Sequence, residues 1–428
     1  MDISKIISTM KPDLSEYESL YKDLHKNPGL SLQEHFAAET AEKHLRGLNG
    51  FDVRTNIGGT GLIGILKNGE GKTVLLRADI DALPVKELTG LPYASEVKEV
   101  DVQDGIEKPV MHACGHDMHI ACLLGAAATL HASRDHWKGT LVVLFQPNEE
   151  RAGGSKAMIE DGLYDPKKHD CPIPDVVLGQ HVMPSPAGVV GTKVGSFMSA
   201  ADSFKVTVYG RGGHASAPHR TIDPIVLAAY IVVRLQAIVS RDVDPADSAV
   251  VSVTSVDAGM AENAIPAEAS IKINVRTRTP ETRETVLASI KRIVKAECDA
   301  SDSPKEPLWE KISEFPFTIN SKEVTETLAE AFTKQFGEKH LHNFVPVGGS
   351  EDFSTLATEA PNKSGSKGVP YSYWCFGGTD QQNWDEAKRA GKIGSLPINH
   401  SGYFAPVIQP TLSTGVDALV VGALTFLK

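Results

Sequence analysis

Hydrophobic and polar residues alternate in different ways along the chain, and these patterns predict its elements. Between Leu14 and Leu45 apolar side chains recur at helical spacing, and Asn27-Pro-Gly29 separates two predicted helices. From Phe51 onward the pattern becomes a glycine-linked hairpin, followed by the segment 72–79, which has the apolar run Val74-Leu-Leu76 at its centre. Such a run is typical of a buried strand.

Two further apolar runs, 139–145 and 175–181, also predict buried strands, and an Ala- and Leu-rich helix over 117–132 precedes them. Each of the three strands is followed by, or ends in, polar residues of metal-binding or acid–base type. These residues are Asp79, Asp81, Glu149, Glu150 and His181. Because open α/β sheets bind ligands beyond the carboxyl ends of their strands, we expect a functional site at this edge.

Near residue 200 the pattern changes to period two. The segments 203–209, 248–254 and 270–276 read as strands with one exposed face, and helical patterns cover 224–240 and 281–298. This combination predicts a two-layer α+β unit that interrupts the first domain.

After Pro316 the sequence predicts a helix over 322–336, a strand over 371–376, a polar loop over 380–395 and a final apolar helix. We therefore predict an α/β catalytic domain with a central mixed sheet flanked by helices, built from 1–198 and 313–428. The inserted α+β domain is predicted to span 199–312.

Composition narrows the classes of function. The 428 residues carry a net charge of −11 without a Lys- or Arg-rich run, which argues against nucleic-acid or anionic-membrane partners. The apolar run 225–233 is shorter than the roughly 20 residues that span a bilayer. No signal-peptide pattern begins the sequence, and the five cysteines lack paired spacing. We expect a cytoplasmic protein with reduced thiols.

The densest chemistry lies between Met111 and His119, where thiol, imidazole and carboxylate side chains occur within nine residues. These are the ligand types of zinc and related ions, so the cluster predicts a metal site. Asp117 is placed to cap the helix over 117–132, whose dipole would favour the Cys114 thiolate. The alternative is a nucleophilic Cys114 paired with His116 or His112.

The paired acids allow more than one interpretation. Asp79 and Asp81 either lie on the same side of an extended segment or cap a turn. Glu149 and Glu150 are either a solvated charge pair or a ligand beside a general base. Because Glu149 and Glu150 follow a buried strand, the sequence favours a ligand beside a general base for this pair.

Five motifs, in this order along the chain, resemble peptidase family M20. They are Arg-Ala-Asp-Ile-Asp-Ala-Leu-Pro (77–84), His-Ala-Cys-Gly-His-Asp (112–117), Phe-Gln-Pro-Asn-Glu-Glu (145–150), Gly-Gln-His (179–181) and Asn-His-Ser-Gly (399–402). The resemblance is closest to the amidohydrolase branch of hippurate hydrolases, N-acyl-amino-acid amidohydrolases and auxin-conjugate hydrolases. It implies hydrolysis of N-acyl amino acids to a carboxylic acid and a free amino acid. A dipeptidase or carboxypeptidase, or a catalytically silent protein stabilised by metal, remains an alternative.

The resemblance further implies two divalent metal ions, zinc or manganese, with cobalt as a third possibility. The implied ligands are Cys114, as the bridge, with His116, Glu150, His181 and His400. Glu149 would be the general base, and Asp81 would orient a metal ligand. Asp79 falls where other branches carry a histidine ligand, so the resemblance assigns it no role.

For the inserted domain the resemblance implies a lid that also forms a homodimer. His214, in the motif Gly210-Arg-Gly-Gly-His-Ala-Ser-Ala-Pro-His219, resembles the residue that reaches the partner subunit's site and stabilises the oxyanion. Asn263 and Arg276 resemble contacts to the carboxylate of a small-molecule substrate. The alternative for Arg276 is a surface charge at a strand end.

Overall fold

The computed structural model describes residues 2–344, 349–362 and 366–427 and divides the chain into two compact units. The first unit contains the chain up to Phe197, a segment that starts at Ile319 and the C-terminal part from Asp352. The second contains Met198–Thr318 and a short segment that ends at Glu351. The expected end of the inserted domain, residue 312, falls inside strand Leu308–Phe315, which the sequence pattern did not reveal.

The elements up to Met198 are helices α1–α5 (Ile3–Met10, Ser15–Lys26, His35–Gly47, His116–Ala132, Gly154–Glu160) and strands β1–β9 (Asp52–Ile57, Gly61–Asn68, Thr73–Asp79, Lys98–Val100, Glu107–Pro109, Gly139–Gln146, Val176–Pro186, Val190–Thr192, Gly195–Met198). The next are strands β10–β15 (Ala200–Tyr209, Gly213–His214, Ala249–Ala258, Ala264–Ile265, Glu268–Thr277, Leu308–Phe315) and helices α6–α8 (Pro224–Leu235, Ala237–Arg241, Pro280–Ala300). The last are strands β16–β18 (Thr318–Asn320, His340–His342, Tyr371–Thr379) and helices α9–α12 (Lys322–Phe336, Thr355–Thr358, Gln381–Arg389, Thr411–Phe426).

Among the described residues the main sheet of the first unit has eight strands, in the order β1-β2-β6-β3-β7-β18-β8-β17. Strand β3 lies between β6 and β7 and runs parallel to both, with Leu76 opposite Val143 on one side and Leu178 on the other. Strand β18 is parallel to β7. The carboxyl ends of these four strands therefore meet at one edge, and the predicted mixed sheet is confirmed.

Helices α4 and α12 pack against each other and against this sheet. Every residue of α4 from His116 to Leu130 is buried, so its apolar residues surround the whole helix instead of forming one stripe. Two predictions for this unit are wrong. Strand β7 continues past His181 to Pro186, and the predicted loop over 380–395 contains helix α11.

The second unit is a two-layer α+β structure, as predicted. Its main sheet has the order β12-β14-β10-β15, and its adjacent strands are antiparallel. Helices α6 and α8 pack on the sheet through a core that includes Val206, Leu227, Ile271 and Ile290.

The stretch Pro224–Arg241, which contains α6 and α7, is long and apolar enough to span a bilayer, with a mean hydropathy of 1.5. That criterion considers length and composition alone. Leu227, Ile231 and Leu235 on one side of α6 are buried in the core of the second unit, so packing accounts for part of its apolar character.

Candidate metal centre

A tight turn carries the chain from Cys114 into helix α4. Gly115 has a φ of +84°, and a Cβ there would collide with Val182, so both its conformation and the space require glycine. The helix begins at His116 with Gly115 as its N-cap, so the prediction that Asp117 caps the helix is wrong. Oδ2 of Asp117 lies 2.6 Å from Nδ1 of the buried His25, and its Oδ1 accepts from the amide of Met118 in the first turn at 2.9 Å.

The five predicted ligands lie together. Their ligand atoms form two groups, Cys114 with His116 and His181, and Cys114 with Glu150 and His400, and within each group the atoms are within 4.8 Å of one another. Sγ of Cys114 is 3.4 Å from Nε2 of His181, close to the roughly 3.3–3.8 Å between neighbouring ligands of a tetrahedral zinc ion. Cys114 belongs to both of these groups.

Hydrogen bonds fix which histidine nitrogen faces the cluster. Nδ1 of His116 donates to the carbonyl oxygen of Asp81 at 2.8 Å, and Nδ1 of His181 donates to that of Val182 at 2.7 Å. Both rings therefore direct Nε2 toward the cluster, and a histidine bound to metal through Nε2 is commonly held in the same way at Nδ1.

Two atoms of this cluster have no hydrogen-bond partner within the described part of the chain. Nε2 of His116 and Oε1 of Glu150 are both buried and are 3.8 Å apart. Leaving such atoms unsatisfied costs about 1–3 kcal/mol each. A cation between them would remove that cost, so these residues fit a bound metal.

His400 approaches the cluster from a separate loop. Its φ of +71° is unusual for a residue with a side chain. Its amide donates to the carbonyl oxygen of Ala113 at 2.8 Å, and the Asn399 side chain donates to the carbonyl oxygens of Cys114 and Val182 at 3.2 Å each. These bonds hold His400 in a conformation that the chain alone would disfavour. Asn399 lies in the motif 399–402, but no role for it was expected from the sequence.

Burial and neighbouring ionisable groups shift the pKa values of the residues in this cluster. Burial, reinforced by nearby Glu150 and Glu149, raises the pKa of the Cys114 thiol well above its usual value. Burial also raises the pKa of Glu150, to about 8, and lowers that of His181. The expectation that the helix dipole holds Cys114 as a thiolate is therefore wrong for the protein alone. A metal ion would displace the thiol proton and reverse this preference.

Glu149 lies within the same cluster. It is 5% exposed, and one of its carboxylate oxygens lies within 4.8 Å of ligand atoms of His116 and Glu150. Asp81, 1% exposed, contacts both ligand-bearing segments. Its Oδ1 is 3.2 Å from Nδ1 of His116, and its Oδ2 accepts from the amide of Glu150 at 3.0 Å.

Asp79 is held by groups other than the five ligands. Arg77 donates to its Oδ2 at 2.8 Å, and Nδ1 of His119 lies 2.5 Å from its Oδ1. Since Nε2 of His119 accepts from the amide of Val182, Nδ1 carries the ring proton. Oδ2 is also 3.5 Å from Nε2 of His116, so Asp79 neighbours the ligand cluster. A buried arginine in an apolar strand, two residues from an aspartate, was the sequence signal for this pair.

The three remaining predicted residues belong to the second unit. His214 and Asn263 are adjacent there, because β11 pairs with β13 and the amide of Ala215 donates to the carbonyl oxygen of Asn263. Nδ1 of His214 accepts from the amide of Ser216 at 3.1 Å, which leaves the proton of a neutral ring on Nε2. Arg276, on β14, donates to Oγ of Ser350 at 2.7 Å.

The chain is similar to known proteins along most of its length. Residues 75–383 match the model of peptidase family M20/M25/M40. A hippurate hydrolase of Campylobacter jejuni is 42% identical over 79% of this chain and 84% of its own length. Thermostable carboxypeptidase 2 of Saccharolobus solfataricus is 34% identical over 98% of this chain and 99% of its own.

Among solved structures, the YXEP protein of Bacillus subtilis, a dinuclear metal-binding peptidase of family M20, superposes with a TM-score of 0.71. It is 27% identical and matches 97% of this chain and 99% of its own. The resemblance drawn from the motifs is confirmed. The chain belongs to peptidase family M20/M25/M40 and is a metal-dependent hydrolase that acts on amide bonds.

Proposed function

We propose that this enzyme hydrolyses the amide bond of N-acyl amino acids and releases a carboxylic acid and a free amino acid. The observation that carries the proposal is the position of Glu149, a buried carboxylate beside a ligand set that already contains a second carboxylate, Glu150. Hippurate is itself an N-acyl amino acid, so the similarity to a hippurate hydrolase supports this substrate class.

The proposed ligands of two divalent ions are Cys114, His116, Glu150, His181 and His400. A thiolate ligand favours zinc, whereas the carboxylate and imidazole ligands also suit manganese or cobalt. Such ions would polarise the amide carbonyl and lower the pKa of a water molecule. Asp81 orients His116 and fixes the backbone at Glu150, so it determines where two of the ligands lie.

Glu149 acts as the general base in this mechanism. Its carboxylate accepts a proton from the attacking water and returns it to the nitrogen of the departing amino acid. A separate base is needed because Glu150 is used as a ligand. His214 donates its Nε2–H to the oxyanion, a role supported by the hydrogen bond that leaves the proton on that nitrogen.

Asn263 and Arg276 bind the carboxylate of the amino-acid part. A guanidinium group can form two parallel hydrogen bonds with a carboxylate, so Arg276 would select amino-acid conjugates over simple amides. This preference separates the proposed enzyme from a general amidase.

We propose that the second unit also mediates a homodimer, with His214 of each subunit serving the site of the other. Helix α6 exposes a line of apolar side chains, among them Val226, Tyr230 and Val233, which are 51%, 62% and 71% exposed. Strand β12 is an edge strand of the four-stranded sheet, so its outer backbone groups are available for pairing. The exposed Val250 and Val256 lie on the same strand.

Light scattering tests this assembly. Wild type should be a dimer, and the double variant Tyr230→Glu/Val233→Glu should be a folded monomer with greatly reduced activity. A dimer in the double variant, or a fully active monomer, would contradict the arrangement.

Three other functions remain to be distinguished. A carboxypeptidase or dipeptidase is favoured by the similarity to a carboxypeptidase along nearly the whole chain. A thiol amidase would use Cys114 as the nucleophile with His116 or His112, the partners expected from the sequence, or with His181, whose Nε2 is 3.4 Å from Sγ. A catalytically silent protein would bind metal for stability alone.

One screen separates these functions. N-acetyl, N-benzoyl and long-chain N-acyl amino acids and dipeptides are incubated with enzyme reconstituted with zinc, manganese or cobalt. We expect hydrolysis of N-acyl amino acids that a chelator abolishes. Preference for dipeptides would indicate the peptidase, and activity that survives metal removal but not thiol alkylation would indicate the amidase. Inactivity on every substrate would refute the proposed function.

We also propose a cytoplasmic location, which the cysteines support. All five are buried, and within the described residues none is paired in a disulfide.

A further inference from the structure

The turn between helices α2 and α3 contacts the loop that contains Glu149. No sequence motif indicated this contact. Ala82 donates its amide to the carbonyl oxygen of Gly29, which aligns the turn with the segment that follows β3. The hydroxyl of Ser31 then donates to Oδ2 of Asp81 at 2.7 Å. Oε1 of Glu34 accepts from the backbone amide of Asn148 at 2.9 Å.

These contacts fasten the loop that contains Glu149 on both sides of that residue. The amide before it, Asn148 N–H, binds Glu34, and the amide after it, Glu150 N–H, binds Oδ2 of Asp81. Asn148 has a φ of +52°, so the backbone turns sharply where Glu34 holds it. Without these two acceptors, both amides would need other partners near a buried site.

Glu34 is itself fully buried and held in one orientation. Besides Asn148, its Oε1 accepts from the amide of Leu32 at 2.7 Å, and its Oε2 accepts from the hydroxyl of Thr60 at 2.6 Å. Both backbone amides bind the same oxygen. The position therefore requires a side chain as long as that of Glu34 with one acceptor oxygen at its end. A neutral glutamine satisfies both conditions.

We infer that Glu34, assisted by Ser31, is a positioning residue for the general base Glu149. The inference rests on the proposed function, since it takes Glu149 to be that base. Glu34 holds the loop at Asn148, and Ser31 holds Asp81, which in turn holds the loop at Glu150. A displacement of about 1 Å in a catalytic group can lower a rate by about 10²-fold, so loss of the anchor should reduce turnover without changing the ligand set.

The test compares two substitutions that separate reach from charge. Glu34→Asp keeps the carboxyl group but withdraws it from Asn148, and we expect kcat to fall about 10- to 100-fold with KM and metal content unchanged. Glu34→Gln keeps the reach, because its amide oxygen can accept from both backbone amides while its NH₂ group donates to Thr60. We expect kcat for Glu34→Gln within about threefold of wild type.

Thr60→Ala is the matched control, because it removes a partner of Glu34 without touching the loop. Hydrogen–deuterium exchange of the peptide containing Asn148 gives a readout independent of activity. Exchange should be faster in Glu34→Asp and unchanged in Glu34→Gln and Thr60→Ala.

Equal kcat and equal exchange in wild type and Glu34→Asp would overturn the inference, as would a glutamine variant as impaired as the aspartate variant. Failure of the proposed function would be seen differently, as an inactive wild-type enzyme. The exchange measurement would still decide whether Glu34 anchors the loop.

Discussion

Replacing Asp81 with asparagine should weaken metal binding and catalysis together. One carboxylate oxygen faces Nδ1 of His116 at 3.2 Å, and the other accepts from the amide of Glu150 at 3.0 Å and from the hydroxyl of Ser31 at 2.7 Å. Asparagine must place its NH₂ group against one of these sets. Because His116 Nδ1 and the Glu150 amide are both donors, either orientation sets a donor against a donor.

The size of the effect follows from the bond that is lost. A hydrogen bond to a charged group contributes about 1.5–3 kcal/mol, and an unsatisfied buried donor costs a similar amount. The carbonyl oxygen of Asp81 continues to accept from His116 at 2.8 Å, so that ring retains its tautomer and the loss is partial. At about 1.4 kcal/mol per factor of ten, we expect metal affinity or kcat/KM to fall roughly 10- to 100-fold.

Two measurements check this prediction: competition with a chromogenic chelator for metal affinity, and steady-state kinetics on the best N-acyl amino acid. Asp175→Asn is the control, because Asp175 also accepts from a backbone amide, that of Thr73 at 2.8 Å, at the opposite end of the parallel strands. Unchanged affinity and kcat/KM in Asp81→Asn, or an equal loss in Asp175→Asn, would refute the argument.

Three further predictions follow from the site and its surroundings. Glu149→Gln should lower kcat by about 10²- to 10⁴-fold while binding as much metal as wild type, and normal turnover would exclude Glu149 as the base. Removing metal should abolish hydrolysis and lower the melting temperature, since ligand at 100 times its Kd stabilises a fold by about 2.7 kcal/mol; a melting temperature unaffected by chelator would count against a bound ion. Burial lowers the pKa of His25, but the carboxylates of Asp117 and Glu87 outweigh it and raise that pKa from 6.5 to about 10. The stabilising contribution of His25 is therefore complete below pH 6.5 and is lost as the pH rises through 10. In urea titrations, the difference in unfolding free energy between wild type and His25→Gln should narrow over that range. A constant difference would contradict a charged His25 paired with these carboxylates.

The sequence predicted most elements because their patterns are local. The buried runs that became β3 and β6 and the period-two strands β10, β12 and β14 all depend on side chains a few residues apart. Strand β15 was not predicted because its burial pattern does not alternate. Helix α11 was not predicted because none of its residues is buried. Neither element contains a buried residue.

The ligand residues were found through motifs, whereas the groups that hold them were not, for a physical reason. Ser31 and Asp81 are 50 residues apart, and Glu34 and Asn148 are 114 apart. No local pattern marks a serine that donates to a carboxylate so distant in the chain. Their meeting depends on the order of strands, since β3 must lie beside β6 before Asp81 can reach the amide of Glu150. Short motifs contain the residues that carry the chemistry of this site, but long-range contacts position them. The substitutions at Glu34 and Asp81 test those contacts, which the sequence alone does not show.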